Sequence, residues 1–158
     1  MADPASSAAL LTGVLGFSEL SAREWEARGE RRGGRIHLEA TNRRGVPGAG
    51  TVHHIAWSVL RAELGHWRER VRIAGARPTA IIDRFYFESV YFREPSGILY
   101  ELATSDGAGF AVDEPAEKLG ETLALPPAYE HLRERIQPIL TPLPDIRRWR
   151  PAPISAGA

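Results

Sequence analysis

The chain has 158 residues, with 20 basic and 20 acidic side chains and no cysteine. This length suits one domain of ordinary size, and the balanced charge argues against non-specific nucleic-acid binding, which needs a basic excess on one face. Without cysteine, the chain has no disulfides, thiolate nucleophile or thiolate metal ligands. Any transition metal would therefore be held by His and carboxylate side chains.

Targeting and membrane signals are weak in this sequence. No apolar run approaches the ~20 residues that a membrane span requires. The N-terminus also has neither the basic region nor the apolar stretch of a secretory signal. We therefore expect a cytoplasmic protein with no membrane partner.

The first predicted elements are a helix and two strands. Asp3 can cap a helix over residues 5–15, and Gly16 provides a left-handed stop. Strands are predicted within residues 17–29 and at residues 35–40, although residues 22–28 could equally be helical. A loop rich in Gly and Pro follows at residues 42–50.

A second unit begins with the apolar segment VHHIAWSV at residues 52–59, which predicts a buried strand. An amphipathic helix follows, because its apolar residues recur at helical spacing. That face consists of Leu60, Leu64, Trp67 and Val71. Three strands are then predicted at residues 79–83, 85–93 and 98–104, with a tight turn at residues 95–97.

The order of these elements predicts an α+β fold with a weak internal repeat of βαβββ type. Residues 3–50 form an incomplete module that lacks its opening strand, and residues 51–105 form a complete one. Residues 106–158 form a C-terminal extension with a helix and a Pro- and Arg-rich tail. The helix is marked by Tyr129, Leu132, Ile136 and Ile139, and the tail starts at Thr141.

Two adjacent histidines could carry chemistry. In a strand, side chains alternate between faces, so His53 and His54 would point in opposite directions and at most one could bind a given metal. A core histidine beside an exposed one is an equally good interpretation. Glu101 lies between Tyr100 and Leu102 in an apolar strand, where an unpaired carboxylate would be costly to bury.

Together, His and Glu from two strands of one module could meet on a concave sheet face and bind Fe(II), Mn(II) or Zn(II). The alternative for Glu101 is an outward position on a half-exposed sheet. Aromatic residues in the segment DRFYFESVYFR at residues 83–93 could line a site for a flat phenolic ligand. Packing of these rings into the core is the more common outcome for such spacing.

The motifs GAGTVHHIAWSV, DRFYFESVYFREPSGILYELATSDGAGFAVDE and KLGETLALPP resemble the vicinal-oxygen-chelate superfamily of glyoxalases, bleomycin-resistance proteins and extradiol dioxygenases. More narrowly, they resemble the C-terminal half of hydroquinone-type ring-cleaving dioxygenases. The resemblance implies βαβββ modules and a metal held by two His and one carboxylate. The metal that the resemblance implies is Fe(II), with Mn(II) or another divalent ion as the alternative.

Residue by residue, the resemblance implies that His54 and Glu101 are metal ligands. It gives His53, Arg84 and Tyr91 catalytic roles beside the metal. The third ligand of such enzymes, a histidine in their first module, has no counterpart here. The resemblance therefore implies a small phenolic substrate, O₂, and either a homo-oligomer or a complementing N-terminal half as partner.

Two other functions fit the same motifs. A non-catalytic or ligand-binding module of the same fold would keep the sheet and associate through its open edge. A metalloenzyme of the glyoxalase or lyase type would use another divalent ion, and it fits the Arg- and Tyr-containing aromatic strands less well. The leading hypothesis is a non-haem Fe(II) ring-cleaving dioxygenase that acts on hydroquinone or a related phenol.

Overall fold

The computed structural model describes residues 4–30, 32–41, 46, 48–107 and 109–141. The chain divides into two compact units, Met1–Leu119 and Gly120–Ala158. The predicted α+β class is confirmed. The predicted bounds of the modules, residues 3–50, 51–105 and 106–158, stay a prediction.

The first part of unit one is a short helix followed by a three-stranded antiparallel sheet. Helix α1 passes into a π-helical turn, and Gly16 ends this segment with φ of 75°. The sheet has the order β1-β2-β3. The elements are α1 Pro4–Ala9, the π-helical turn Leu10–Val14, β1 Ser18–Ser21, β2 Glu24–Arg28 and β3 Gly33–His37.

The second part of unit one is a four-stranded sheet with one long helix. Its order is β4-β7-β6-β5, in which β4 lies parallel to β7 and the other neighbours are antiparallel. The elements are β4 Ile55–Val59, α2 Arg61–Ile73, β5 Ile82–Asp83, β6 Glu88–Arg93 and β7 Leu99–Thr104. The predicted order of strand, helix and three strands is confirmed.

One apolar core joins the two sheets. Trp25 of β2 is fully buried in the same cluster as Leu64 of α2 and Val90 of β6. Tyr100 of β7 is also fully buried, and its hydroxyl has no hydrogen-bond partner among the described residues. Burial, together with the nearby Glu94 carboxylate, raises the pKa of Tyr100 well above its ordinary value.

Several predicted boundaries were wrong, and each error has a local cause. Residues 17–29 form a hairpin of two strands, because residues 22–23 make a turn. The strand predicted at residues 52–59 begins only at Ile55, so the two histidines precede it. The strand predicted at residues 85–93 begins at Glu88, because Phe85 adopts a left-handed φ of 71° in a turn.

The described part of unit two, residues 120–141, contains short helical turns. The helix α3 spans Arg133–Ile136, between 3₁₀ turns at Pro127–Leu132 and Gln137–Ile139. The guanidinium of Arg133 donates a hydrogen bond of 2.8 Å to the carbonyl of Leu123. The predicted Pro- and Arg-rich tail lies almost entirely outside the described residues, as do Asp3 and much of the loop at residues 42–50. In the described part of the chain, no helix is long and apolar enough to cross a bilayer.

Candidate metal and phenol site

His54 and Glu101 meet at one end of the four-stranded sheet. His54 directly precedes β4, and Glu101 lies in β7, which is the parallel neighbour of β4. The Nε2 atom of His54 is 2.7 Å from Oε2 of Glu101. The Glu101 side chain is only 4% exposed, whereas that of His54 is 32% exposed. The carboxylate is therefore buried against an imidazole that still reaches solvent.

Tyr91 holds the other oxygen of this carboxylate. It lies directly opposite Glu101 in the antiparallel pair of β6 and β7. Its hydroxyl donates a hydrogen bond of 2.6 Å to Oε1 of Glu101, and its ring contacts the His54 ring edge-on at 5.8 Å between centroids. Both carboxylate oxygens thus have a partner, which orients Oε2 towards the imidazole.

Arg84 places a cation beside this group. Its guanidinium carbon lies 5.3 Å from the centroid of the Tyr91 ring, within cation–π range. The turn that carries Arg84 is closed by its backbone N–H, which donates to the carbonyl of Phe87 at 2.8 Å. The backbone N–H of Phe85 also donates to the Asp83 carboxylate at 2.7 Å. These bonds fix the turn in which Phe85 takes its left-handed conformation.

The expectation that His53 and His54 point to opposite faces was wrong. Both residues lie before β4, in irregular backbone, so strand alternation does not apply to them. Their Nδ1 atoms are 2.8 Å apart, at hydrogen-bond distance. If the Nδ1–H of His54 donates a hydrogen bond to Nδ1 of His53, Nε2 of His54 carries a lone pair that can bind a proton or a cation shared with Glu101.

The face that carries Glu101 is lined with small side chains further along the sheet. Ala56 and Ser58 of β4, paired with Glu101 and Ala103 of β7, lie on this face. Ala56 and Ser58 are exposed. Small residues leave room above the sheet next to the His54–Glu101 pair, and that room is open to solvent.

The aromatic residues of the segment at residues 83–93 lie in different environments. The ring of Tyr91 contacts His54, but Phe92 is buried in the core. Tyr86 is also buried, and its hydroxyl donates to Asp113 at 2.7 Å. The sequence suggested that the aromatic residues of this segment could line a site for a phenolic ligand. The structure brings Tyr91 of the segment to the candidate site.

The donor atoms fit a divalent metal in part. A 2.7 Å contact between Nε2 and a carboxylate oxygen accommodates one shared proton, and a cation could take the place of that proton between the same two donors. Among the residues that the structure describes, no third His, Asp or Glu joins His54 and Glu101 to complete a group of three. The chain therefore presents two candidate ligands, His54 and Glu101, with Tyr91 and His53 hydrogen-bonded to them.

Two supporting residues were missed by the sequence analysis. The hydroxyl of Thr79 accepts from the backbone N–H of Tyr91 at 3.1 Å, and the N–H of Thr79 donates to the Tyr91 carbonyl at 2.9 Å. Glu94 is 2% exposed and accepts a hydrogen bond from Ser7 of α1. An acidic residue just before the turn at residues 95–97 was the available signal for Glu94, whereas nothing in the sequence marked Thr79.

Comparison with known proteins places these residues in context. Residues 1–102 match the model of the glyoxalase/bleomycin resistance protein/dioxygenase superfamily. The chain is 40% identical over 146 residues to the Bacillus subtilis (strain 168) protein named "Putative ring-cleaving dioxygenase MhqA", which covers 85% of this chain and 46% of that one. It is 34% identical over 92 residues to chlorohydroquinone/hydroquinone 1,2-dioxygenase of Sphingobium indicum, which covers 56% of this chain and 28% of that protein.

A solved structure gives the same picture. The crystal structure of a "putative dioxygenase" from Bacillus subtilis superposes with a TM-score of 0.76 at 35% identity, over 90% of this chain and 47% of that one. An integron cassette protein from a sewage-outfall metagenome shares the fold alone, with a TM-score of 0.53 at 19% identity. The chain spans about half the length of the curated relatives MhqA and MhqE.

Proposed function

Because the chain belongs to the glyoxalase/bleomycin resistance protein/dioxygenase superfamily, we propose that it is one half of a ring-cleaving dioxygenase for hydroquinone or a related phenol. The observation that carries this proposal is the contact between His54 and Glu101, with Tyr91 bonded to the same carboxylate. The names of the relatives, which include a chlorohydroquinone/hydroquinone dioxygenase, supply the class of substrate. O₂ is the second substrate in this proposal.

The proposed cofactor is Fe(II), with Mn(II) as the alternative. His54 would bind it through Nε2 and Glu101 through Oε2, the two atoms that converge. Two His and one carboxylate are the ligand set of non-haem Fe(II) oxygenases, and this chain would supply two of the three. When bound, such an ion supplies Lewis acidity and the electron-transfer chemistry that O₂ needs to react with a phenol.

The remaining site residues would hold charge and protons. Arg84 lies against the ring of Tyr91, so its cation is placed to stabilise a phenolate brought to the same face. The Tyr91 hydroxyl orients Glu101 and can exchange its proton with a nearby oxygen of the substrate. His53 shares a hydrogen bond with His54 and, with the Nδ1–H of His54 as donor, would leave Nε2 of His54 for the metal and offer a path for a proton to solvent.

The third ligand would come from a second polypeptide. A complementing half or a second copy of this chain could place its histidine beside His54 and Glu101. This part of the proposal is supported by the length comparison, because the chain matches 46% of MhqA. It is also supported by the donor set, since the described residues contain no group of three His, Asp or Glu that could hold a metal ion.

Co-expression tests the proposal directly. The full chain is produced alone and together with the half of MhqA that it does not match, and iron content and O₂ uptake with hydroquinone are measured for each preparation. We expect iron and O₂ uptake in the combined preparation or in a homo-oligomer. His54→Ala should abolish both signals, whereas His66→Ala, at an exposed position on α2, should leave them unchanged. Absence of both iron and O₂ uptake from the two preparations would refute the proposal.

A non-catalytic ligand-binding module is the second candidate, and it is favoured by the lack of a group of three His, Asp or Glu that could hold a metal among the described residues. Such a module would bind a small phenol without metal. In that case His54→Ala and Glu101→Ala would leave the affinity for hydroquinone unchanged. Loss of phenol affinity together with loss of metal would instead support the dioxygenase.

A further inference from the structure

Ser89 of β6 carries a buried hydroxyl that the fold itself does not use. The residue is 0% exposed, and its Oγ has no hydrogen-bond partner among the described residues. A buried hydroxyl without a partner costs free energy, so such a group in a folded protein calls for an explanation. The other unpartnered buried atoms in the described part of the chain belong to rings that pack in or against the apolar core, those of Trp25, Trp57 and Tyr100.

The strand register places Ser89 on the same face of the sheet as the candidate site. Side chains two residues apart in a strand point the same way, so Ser89 shares a face with Tyr91, whose hydroxyl reaches Glu101. Ser89 also lies directly opposite Ala103 of β7, which is two residues beyond Glu101. Ser89 and Glu101 are therefore diagonal neighbours on this face, about 7–8 Å apart.

The surface beside these two polar groups is made of small apolar side chains. Ala103 contributes a methyl group from β7, and Ala56 contributes another from β4. Ala56 is exposed and Ala103 is half-buried, so the space above them is open to solvent. A flat ring can lie on these methyl groups with one end towards Glu101 and the other towards Ser89.

The side chains that flank Ser89 on this face themselves reach solvent. Its directly opposed neighbours on the two flanking strands, Ile82 and Ala103, are half-buried, and so is Tyr91 on its own strand. Rotamer changes of side chains at the surface are fast. A ligand ring that displaces one of these side chains would therefore reach a hydroxyl that has no competing partner among the described residues.

We propose that Ser89 is a specificity-determining residue that binds the far hydroxyl of a 1,4-dihydroxybenzene. The near hydroxyl would lie at His54 and Glu101, and this placement rests on the proposed function. The Ser89 Oγ would exchange a hydrogen bond with the far hydroxyl, which offsets the desolvation of both groups. A phenol that lacks the far hydroxyl would leave Ser89 unpaired, so the site would bind it more weakly.

Titration of the full chain with two phenols of similar size tests the proposal. Calorimetry without metal or O₂ compares hydroquinone with 4-methylphenol, which has a methyl group in place of the far hydroxyl. We expect the natural chain to bind hydroquinone roughly tenfold more tightly than 4-methylphenol. Ser89→Ala should lose this preference, because the far hydroxyl of hydroquinone then has no partner.

A matched variant and a stability measurement separate this role from a structural one. Ser58→Ala removes a hydroxyl from the same face, but one already bonded to Ser105 at 2.6 Å, and it should keep the preference for hydroquinone. Without ligand, the free energy of unfolding of Ser89→Ala should be no lower than that of the natural chain, because the substitution removes an unpartnered buried hydroxyl. A structural role would instead lower it and weaken the binding of both phenols equally.

Several outcomes would overturn the proposal. These are no binding of hydroquinone by the natural chain, no preference over 4-methylphenol, or a preference retained in Ser89→Ala. Failure of Ser89→Ala to fold would also overturn it, because a hydroxyl without a partner in the fold should be dispensable. Iron and O₂ uptake in the co-expression test, with the preference unchanged in Ser89→Ala, would leave the proposed function standing. The preference lost in Ser89→Ala, but without iron or O₂ uptake, would leave a phenol site in a non-catalytic chain.

Discussion

Cross-strand pairs at corresponding positions in the two sheets differ in the environment of their charged residues. Counted from the hairpin end, the third pair is Glu26–Arg35 in the first sheet and Tyr91–Glu101 in the second. Arg35 is exposed and pairs with Glu26 at 3.0 Å in an ion pair at the surface. Glu101 is buried and bonded by Tyr91 and His54.

The difference arises from the parallel strand. His54 directly precedes β4, and β4 pairs with β7, so the imidazole of His54 lies next to the carboxylate of Glu101. The first sheet has the same hairpin geometry, but the described residues place no strand on the outer edge of β3. A βαβββ scaffold thus becomes a candidate metal site only where its opening strand and the residues before it are in place.

The largest expected effect is a loss of stability. It tests whether the first sheet shares a core with the second. Trp25→Ala should lower the free energy of unfolding by about 3–5 kcal/mol, because a fully buried indole leaves a cavity among residues of both sheets. Chemical denaturation measures this, with Leu20→Ala at an exposed position of β1 as control. A loss no larger than that of the control would show that the first sheet is not part of a cooperative unit.

The next prediction tests whether the Tyr91–Glu101 pair, unlike Glu26–Arg35, supports metal binding. Tyr91→Phe keeps the ring beside His54 but removes the hydroxyl that donates to Glu101. We expect Mn(II) affinity to fall roughly 10- to 100-fold, as for other residues that orient a metal ligand. Titration calorimetry measures the affinity, and Tyr129→Phe in unit two is the control. Unchanged affinity would mean that Tyr91 does not orient the carboxylate.

A smaller effect depends on pH. Burial raises the pKa of Tyr100, so the unfolded chain loses this proton first as the pH rises above about 10. The free energy of unfolding should therefore fall as the pH rises through that range. At lower pH, where Tyr100 is protonated in both states, this loss of stability is absent. Tyr100→Phe should fold, since the hydroxyl has no described partner, and should show a shallower fall. Equal slopes in alkaline denaturation of both proteins would contradict this.

The smallest effect is expected for the surface pair. Hydrogen bonds from Arg28 and Arg35 lower the pKa of Glu26, so its contribution to stability is present above about pH 4.5 and is lost as the pH falls below that value. Glu26→Gln should lower Tm slightly at neutral pH, and about 1 M salt should remove the difference. Its Mn(II) affinity should equal that of the natural chain. A clear change in that affinity would mean that the two sheets are functionally coupled.

Sequence reasoning reached the topology better than the local geometry. The apolar run after His54 and the periodic residues of α2 predicted β4 and its helix, because burial imposes those periods. The φ of Phe85 and the side-by-side histidines were not predictable, since a turn and an irregular entry into a strand replace simple alternation. The pairing of Glu101 with Tyr91 depends on the hairpin register, and the turn at residues 95–97 alone did not specify it.

We propose that His54, just before β4, and Glu101 of β7 form a metal site. Mn(II) titration of the full chain, followed by electron paramagnetic resonance of the free ion, tests it most directly. Glu101→Gln keeps the size of the side chain but removes the charge, and it should weaken binding at least tenfold, as should His54→Ala. Glu26→Gln and His37→Ala in the first sheet should bind as the natural chain does. Equal Mn(II) affinity in the Glu101→Gln and natural chains, or no binding by the natural chain, would contradict the account.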